Sequence, residues 1–153
     1  YPHIPVTGFD IPQETLTALG INTLRHHFYA PDLESLFLEL DTEADIKSLR
    51  PAFPALVKSS SHLKEVVVLC YPESGSHQVV LRSFCPWIGI DEDPVTGSIH
   101  AALAPYLNQY RSMQGYTAYQ ASARGGTIKV HLSDSSVWIG GTCRILVEGK
   151  LSS

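Results

Sequence analysis

The chain has 153 residues, of which 44% are hydrophobic and 17% are charged, and its formal net charge at pH 7 is −4. These values are typical of one globular domain and exclude a disordered chain. The sequence has no run of Lys or Arg, which argues against nucleic acid as a partner. Its apolar runs are too short to span a membrane.

The first half of the sequence predicts small helices and paired strands. Residues 1–9 contain two prolines and a glycine and are predicted to form a connector. A helix is expected to begin with Asp10 as its cap and to end at Leu19, where Gly20 stops it. The elements predicted next are strands at Thr23–Tyr29 and Leu33–Leu40, a short helix from Asp41-Thr42 to a point before Pro51, and a helical turn at Phe53–Lys58.

The second half predicts a hairpin, one principal helix and a final run of strands. Glu65–Phe84 is predicted as a hairpin, Pro86–Pro94 as irregular chain, and Thr96–Asn108 as the main helix. The last predicted strands are Tyr116–Ala121, Thr127–Leu132, Val137–Ile139 and Cys143–Val147, with a hairpin turn at Gly125-Gly126 between the first two. Together these elements predict a single α+β domain over residues 10–153, with a largely antiparallel sheet that curls around one helix.

The cysteines indicate no covalent framework. Cys70, Cys85 and Cys143 are widely spaced and form no CxxC pair, so we predict neither a disulfide framework nor a zinc site. Reduced thiols in the cytoplasm are the simplest interpretation. Cys70 and Cys143 lie in apolar strand patterns and are predicted to belong to the core, and the acidic neighbours of Cys85 predict an inert thiol.

One segment combines residues that favour anion binding. The acids Asp91, Glu92 and Asp93 precede the main helix, and Thr96, Gly97 and Ser98 occupy its predicted first turn. The first N–H groups of a helix have no internal partner and lie at the positive end of its dipole. Because glycine has no side chain, a ligand can approach the Gly97 amide closely. The segment therefore predicts a site for a carboxylate or a phosphate.

A structural role for this segment is an equally good interpretation on these grounds, since acids at a helix start often only cap it. Two details favour the ligand site. Three successive acids exceed what one cap needs, and a glycine in the first turn costs about 0.5–1 kcal/mol relative to alanine.

The segment Glu92-Asp93-Pro94-Val95-Thr96-Gly97-Ser98 resembles the signature of the PhzF-like (phenazine biosynthesis-like) isomerases, which belong to the diaminopimelate epimerase superfamily. The resemblance continues through Arg82–Pro86, through His100 and Pro105-Tyr106, and through Gln120–Gly126 and Val137–Gly149. Asp10–Leu19 and Asp41–Phe53 fit the family more loosely.

This resemblance implies a fold, a site and a reaction. The family has two similar lobes, each a barrel-like sheet around a central helix, and its active site lies in the cleft between them. By position, Asp93 would contact the substrate near the reacting centre, and the amides of Thr96, Gly97 and Ser98 would hold its carboxylate. The implied activity is a cofactor-independent proton shift on a small carboxylate, with no metal. Asp93 occupies the position of a catalytic cysteine in related epimerases, which disfavours cysteine-based racemisation.

The resemblance also implies that part of the enzyme is missing. The family's acid/base glutamate and a Gly-Asn-Pro motif belong to the first lobe, and neither is found in this sequence. The only methionine is Met113, so the chain is expected to be trimmed, processed or a piece of a longer protein. We expect the second lobe alone, inactive by itself, with the first lobe as its partner and a homodimer as a possible assembly. The alternatives are a non-catalytic module that binds small anions and an assembly module.

Two further residues are weaker candidates for the site. His100 lies about one turn beyond Thr96 and can face the cleft, but a structural role is the preferred interpretation. Trp87 is a candidate aromatic lid over the cleft, and a packing role is equally compatible with its position.

Overall fold

The computed structural model describes residues 1–150. The helices in this range are α1 (Gln13–Leu19), α2 (Glu43–Ser48), α3 (Phe53–Lys58) and α4 (His100–Arg111), with 3₁₀ turns at Pro31–Leu33 and Pro86–Ile88. The strands are β1 (His26–Ala30), β2 (Ser35–Glu39), β3 (Glu65–Cys70), β4 (Val79–Cys85), β5 (Ile90–Asp93), β6 (Gly115–Gln120), β7 (Gly126–Leu132) and β8 (Val137–Gly140). The α+β class is confirmed.

All eight strands belong to one mixed sheet with the order β1-β2-β3-β4-β6-β7-β8, and β5 pairs with β4 outside this path. The pairs β2–β3 and β4–β6 are parallel, and the other five pairs are antiparallel, including the predicted hairpin of β3 and β4. The predicted barrel-like closure is wrong, because β1 and β8 are the two ends of the path and do not pair with each other.

The N-terminal segment forms backbone hydrogen bonds with both edge strands. Thr7 exchanges two backbone hydrogen bonds with Tyr29 of β1, at 2.8 and 2.9 Å. The Val137 N–H of β8 donates to the Tyr1 carbonyl oxygen at 2.7 Å. The segment predicted as a connector thus satisfies backbone groups on both edges.

This segment also compensates for a proline inside α4. Pro105 has no N–H, so the carbonyl of Ala101 one turn earlier has no partner within the helix. The Ile4 N–H donates to that carbonyl oxygen at 3.0 Å. A proline that normally kinks or breaks a helix is therefore accommodated by a backbone bond from another part of the chain.

The sheet is covered on both faces. On one face α4 packs into a cluster that includes buried residues of both edge strands, such as Phe28 and Val137, so the sheet wraps around this helix. On the other face α1, α2 and α3 cover a second cluster. In β2, Phe37 belongs to the first cluster and Leu36 and Leu38 to the second, which explains why the apolar residues of this strand do not alternate with polar ones.

The ends of the small helices agree only partly with the sequence signals. Gly20 ends α1 in the left-handed region (φ +76°), as predicted. The predicted Asp10 cap is wrong, because α1 begins after Pro12 and has no side-chain cap. Thr42 forms a capping box with Asp45 at the start of α2, in agreement with the predicted start.

The predicted strand at Cys143–Val147 is wrong. Residues 141–150 have no regular structure, and Ile145, Leu146 and Val147 are 83%, 83% and 87% exposed. An apolar, β-branched segment forms a strand only where a neighbour supplies backbone partners, and none does so among residues 1–150. Cys143 is therefore exposed rather than in the core, whereas Cys70 is buried as predicted. None of the helices in the same range has the length and apolarity needed to cross a membrane.

Candidate functional site

The three consecutive acids lie in β5 and make different contacts. Asp91 is exposed. Glu92 forms a two-point ion pair with Arg82 of β4, at 2.7 and 2.9 Å, and Arg82 also donates to the Leu49 carbonyl at the end of α2. Asp93 accepts a hydrogen bond from the Thr96 hydroxyl. Glu92 therefore ties β5 to β4, and Asp93 bonds to the loop that follows β5.

The capping alternative does not agree with this geometry. Helix α4 begins at His100 instead of the predicted Thr96, its cap position is Ile99, and no side chain caps it. Its first turn is closed by bonds from the N–H groups of His100 and Ala101 to the carbonyls of Gly97 and Ser98, at 3.2 and 3.0 Å.

Gln120, at the end of β6, determines the shape of the loop before α4. Its buried amide oxygen accepts the Thr96 N–H at 2.8 Å. Its amide nitrogen donates to the Asp93 carbonyl at 2.6 Å and to the Thr96 hydroxyl oxygen at 3.2 Å. One glutamine side chain from a distant strand thus makes three bonds to the loop Asp93–Thr96, and the Thr96 N–H is not free for a ligand.

The turn between β6 and β7 supports the same loop. The Ser122 hydroxyl donates to the Pro94 carbonyl at 2.7 Å. Gly126 lies so close to Val95 that a Cβ at this position would overlap the valine side chain. The predicted hairpin turn at Gly125-Gly126 is confirmed, and Gly125 has a φ of +69°.

The next two amides in the described part of the chain have no acceptor, although of these two residues only Ser98 lines the cavity described below. Within residues 1–150, the N–H groups of Gly97 and Ser98 have no hydrogen-bond acceptor. They lie just before the first turn of α4, where the backbone favours an anion. Of the four residues implied by the resemblance, Gly97 and Ser98 therefore keep free amides, whereas Thr96 and Asp93 hydrogen-bond to each other.

Asp93, Thr96 and Ser98 border one cavity of about 280 Å³. The other residues that line it are mainly on β3, β4 and the chain around Pro86–Ile90: Leu33, Lys64, Glu65, Cys85, Ile88 and Ile90. Residues 1–150 contain no group of three His, Cys, Asp or Glu side chains arranged to hold a metal ion.

His100 and Trp87 do not line this cavity. His100 is completely buried, and its Nδ1 lies 2.9 Å from the Tyr116 hydroxyl. Burial lowers the pKa of His100 to about 4, so the ring is neutral at pH 7. The Trp87 indole N–H donates to the carbonyls of Val57 and Ser60, at 3.1 and 3.0 Å, which ties it to the end of α3.

The sequence interpretation missed two residues, Gln120 and Glu65. No periodicity marks Gln120 as a support of the loop, because its contacts are 24 to 27 residues away. Glu65 lines the cavity next to Asp93, although as the first residue of an apolar strand it gave no signal of a site. The prediction that Cys85 is inert agrees with its pKa, which burial, together with the nearby charges of Glu65 and Asp93, raises to about 11.

Gln120→Leu should destabilise the fold much more than a comparable change on the surface. It leaves the Thr96 N–H and the Asp93 carbonyl without a partner, and the expected loss is about 3 kcal/mol in the free energy of unfolding. The matched control is Gln78→Leu, since Gln78 is exposed and accepts one backbone N–H at 2.7 Å. Denaturant unfolding of both variants tests this, and equal losses would contradict the role of Gln120.

His100 should make the fold less stable in mild acid. Its pKa is lower in the folded chain than its ordinary value of 6.5, so the unfolded state takes up a proton first as the pH falls. The free energy of unfolding should therefore drop by about 3 kcal/mol between pH 6.5 and pH 4. The variant His100→Gln should lose this drop, whereas His131→Gln, at an exposed position, should keep it. If the free energy of unfolding of His100→Gln still fell with pH as in the original chain, the prediction would be contradicted.

Comparisons with known proteins identify the family. Residues 9–149 match the model of the PhzC-PhzF family, described as phenazine biosynthesis-like protein. The chain is 31% identical over 140 residues to an uncharacterized isomerase of Halalkalibacterium halodurans, an alignment that covers 92% of this chain and 51% of that protein. It is 35% identical over 118 residues to an uncharacterized isomerase of Pseudomonas aeruginosa, covering 77% of this chain and 44% of that protein.

A solved structure supports the same assignment. The crystal structure of a PhzF-family phenazine biosynthesis protein from Enterococcus faecalis superposes with a TM-score of 0.82 at 32% identity, covering 95% of this chain and 54% of that one. The chain spans about half the length of the curated relatives it matches. It belongs to the phenazine biosynthesis-like (PhzC-PhzF) protein family.

Proposed function

We propose that this chain is the second lobe of a cofactor-independent isomerase that moves a proton on a small substrate carrying a carboxylate. The observation that carries the proposal is the pair of free amides at Gly97 and Ser98. They follow a loop that Gln120 holds in place, and Ser98 borders the cavity that also contains Asp93. The relatives named as isomerases support the reaction class.

In this proposal the amides of Gly97 and Ser98 bind the substrate carboxylate. Two consecutive N–H groups near the start of a helix suit an anion. Thr96 acts indirectly, because its hydroxyl donates to Asp93 and its N–H donates to Gln120. Asp93 is thereby oriented at the cavity, where it can accept a hydrogen bond from a substrate amine or hydroxyl.

The acid/base group that moves the proton is proposed to lie on a first lobe. A general base must reach its proton directly or through one water molecule. Ile88 and Ile90 line the cavity and are 57% and 49% exposed, which fits a cleft wall completed by another part of the protein. This chain alone is therefore expected to bind a carboxylate without turning it over.

A carboxylate titration tests the binding site. Acetate added to the ¹⁵N-labelled chain should shift the Gly97 and Ser98 amide resonances. Gly97→Ala should weaken acetate binding at least about tenfold, or about 1.4 kcal/mol, because its methyl group crowds the amide.

The fold should tolerate this methyl group, whose nearest heavy atom would be the Tyr1 hydroxyl oxygen at 3.4 Å. The matched control is Gly8→Ala, because a Cβ at Gly8 has no heavy atom within 4 Å. The proposed site would be contradicted if acetate left the Gly97 and Ser98 amide resonances unshifted. It would also be contradicted if the two variants had the same affinity for acetate.

A further inference from the structure

The N-terminal segment is bound both to β8 and to the first turn of α4. The Val137 N–H of β8 donates to the Tyr1 carbonyl oxygen at 2.7 Å, and the Tyr1 nitrogen donates to the Val137 carbonyl oxygen at 3.0 Å. Farther along the segment, the Ile4 N–H donates to the Ala101 carbonyl oxygen of α4 at 3.0 Å. The backbone of residues 1–4 is therefore tied to the sheet edge and to the helix that follows the candidate site.

The hydroxyl of Tyr1 lies close to Gly97. A Cβ built on Gly97 would have the Tyr1 hydroxyl oxygen as its nearest heavy atom, at 3.4 Å. The Ile139 side chain lies on the same side, with its Cδ1 at 3.9 Å from that point. A Cβ is about 2.5 Å from the nitrogen of its own residue, so the phenol oxygen is at most about 6 Å from the Gly97 nitrogen.

Two donors at this separation can share one ligand. A donor and its acceptor are about 2.7–3.2 Å apart, so one oxygen atom can accept from two donors that are up to about 6 Å apart. A carboxylate offers two such oxygens. Tyr1 is 59% exposed, so its hydroxyl can be reached from solvent. A carboxylate that binds the Gly97 amide can therefore also accept a hydrogen bond from Tyr1.

The Tyr1 ring can also have a purely structural role. It lies near Ile139, and packing against that side chain would help to cover the edge of the sheet. Packing needs only the ring, whereas a contact with a ligand needs the hydroxyl. The variant Tyr1→Phe keeps the ring and removes the hydroxyl, so it separates the two roles.

We propose that Tyr1 is a further binding residue of the candidate site, and that its hydroxyl donates a hydrogen bond to the carboxylate bound by Gly97 and Ser98. This inference rests on the proposed function. The segment predicted as a connector thus takes part in binding, because its backbone bonds to Val137 and Ala101 hold the phenol near the amides.

Acetate titrations of the 153-residue chain test the inference. The ¹³Cζ shift of a tyrosine responds to hydrogen bonding of its hydroxyl, so the Tyr1 resonance should move with the same midpoint as the Gly97 and Ser98 amides. Tyr1→Phe assigns this resonance, and it should weaken acetate binding at least about threefold because a hydrogen bond to a charged group is lost. The matched control is Tyr110→Phe, which should keep the affinity, since Tyr110 is 62% exposed and lies near the opposite end of α4.

The outcomes separate this inference from the proposed function. Suppose that acetate shifts both amides but leaves the Tyr1 resonance unmoved, or that Tyr1→Phe binds acetate as tightly as the original chain. The inference is then overturned, and the proposed function stands. If acetate shifts neither amide, the proposed function fails and the inference fails with it. The ¹³Cζ measurement uses the original chain, so it decides the inference even if Tyr1→Phe lowers the stability of the fold.

Discussion

The buried amide of Gln120 constrains the chain between β5 and α4. Its oxygen accepts the Thr96 N–H and its nitrogen donates to the Asp93 carbonyl, so one side chain holds both ends of the loop. The helix then begins at His100, and the amides of Gly97 and Ser98 keep no acceptor among residues 1–150. A buried amide that makes all its hydrogen bonds contributes more to the free energy of unfolding than an exposed one. Removing it leaves buried polar groups without partners. The arrangement of the candidate site thus depends on a residue that does not line the cavity.

The elements on either side of this loop, β5 and α4, are held in place by contacts with the rest of the fold. Helix α4 lies inside a curved sheet whose two edges are joined through the N-terminal segment. The Ile4 N–H donates to the Ala101 carbonyl in place of the N–H that Pro105 lacks, so the helix continues through its proline. The ion pair of Arg82 and Glu92 then ties β5, which carries Asp93, to β4. The links made by the N-terminal segment join parts of the chain that are distant in sequence, and the ion pair joins residues ten positions apart.

The sequence predicted the local features and the family, and it failed where partners are distant. Gly20, the hairpin of β3 and β4, and the turn at Gly125 follow from short patterns whose physics is local. Barrel closure could not be judged, because edge pairing depends on where residues 1–9 lie. The apolar run at 143–147 has the composition of a strand but no neighbour to pair with among the described residues.

The candidate site was also predicted where it depends on neighbouring residues and missed where it depends on distant ones. Asp93, Thr96, Gly97 and Ser98 were predicted from one segment, and the structure brings Asp93, Thr96 and Ser98 to one cavity. The state of each backbone amide could not be predicted, because Gln120 reaches Thr96 across 24 residues. Glu65 was missed for the same reason: its serine partners lie on two different neighbouring strands. Hydrophobic periodicity predicts which face of an element a residue occupies, but it does not predict which polar group lies opposite that residue.

We propose that the active cleft lies between this chain and a first lobe, with the substrate carboxylate bound to the Gly97 and Ser98 amides. The most direct test is a crystal structure of the native full-length protein grown in malonate, a simple dicarboxylate. We predict a carboxylate oxygen within hydrogen-bond distance of both amides, and an upstream lobe that covers Ile88 and Ile90. A native chain that has no upstream lobe, or malonate bound elsewhere while these two amides are bonded within the protein, would contradict it.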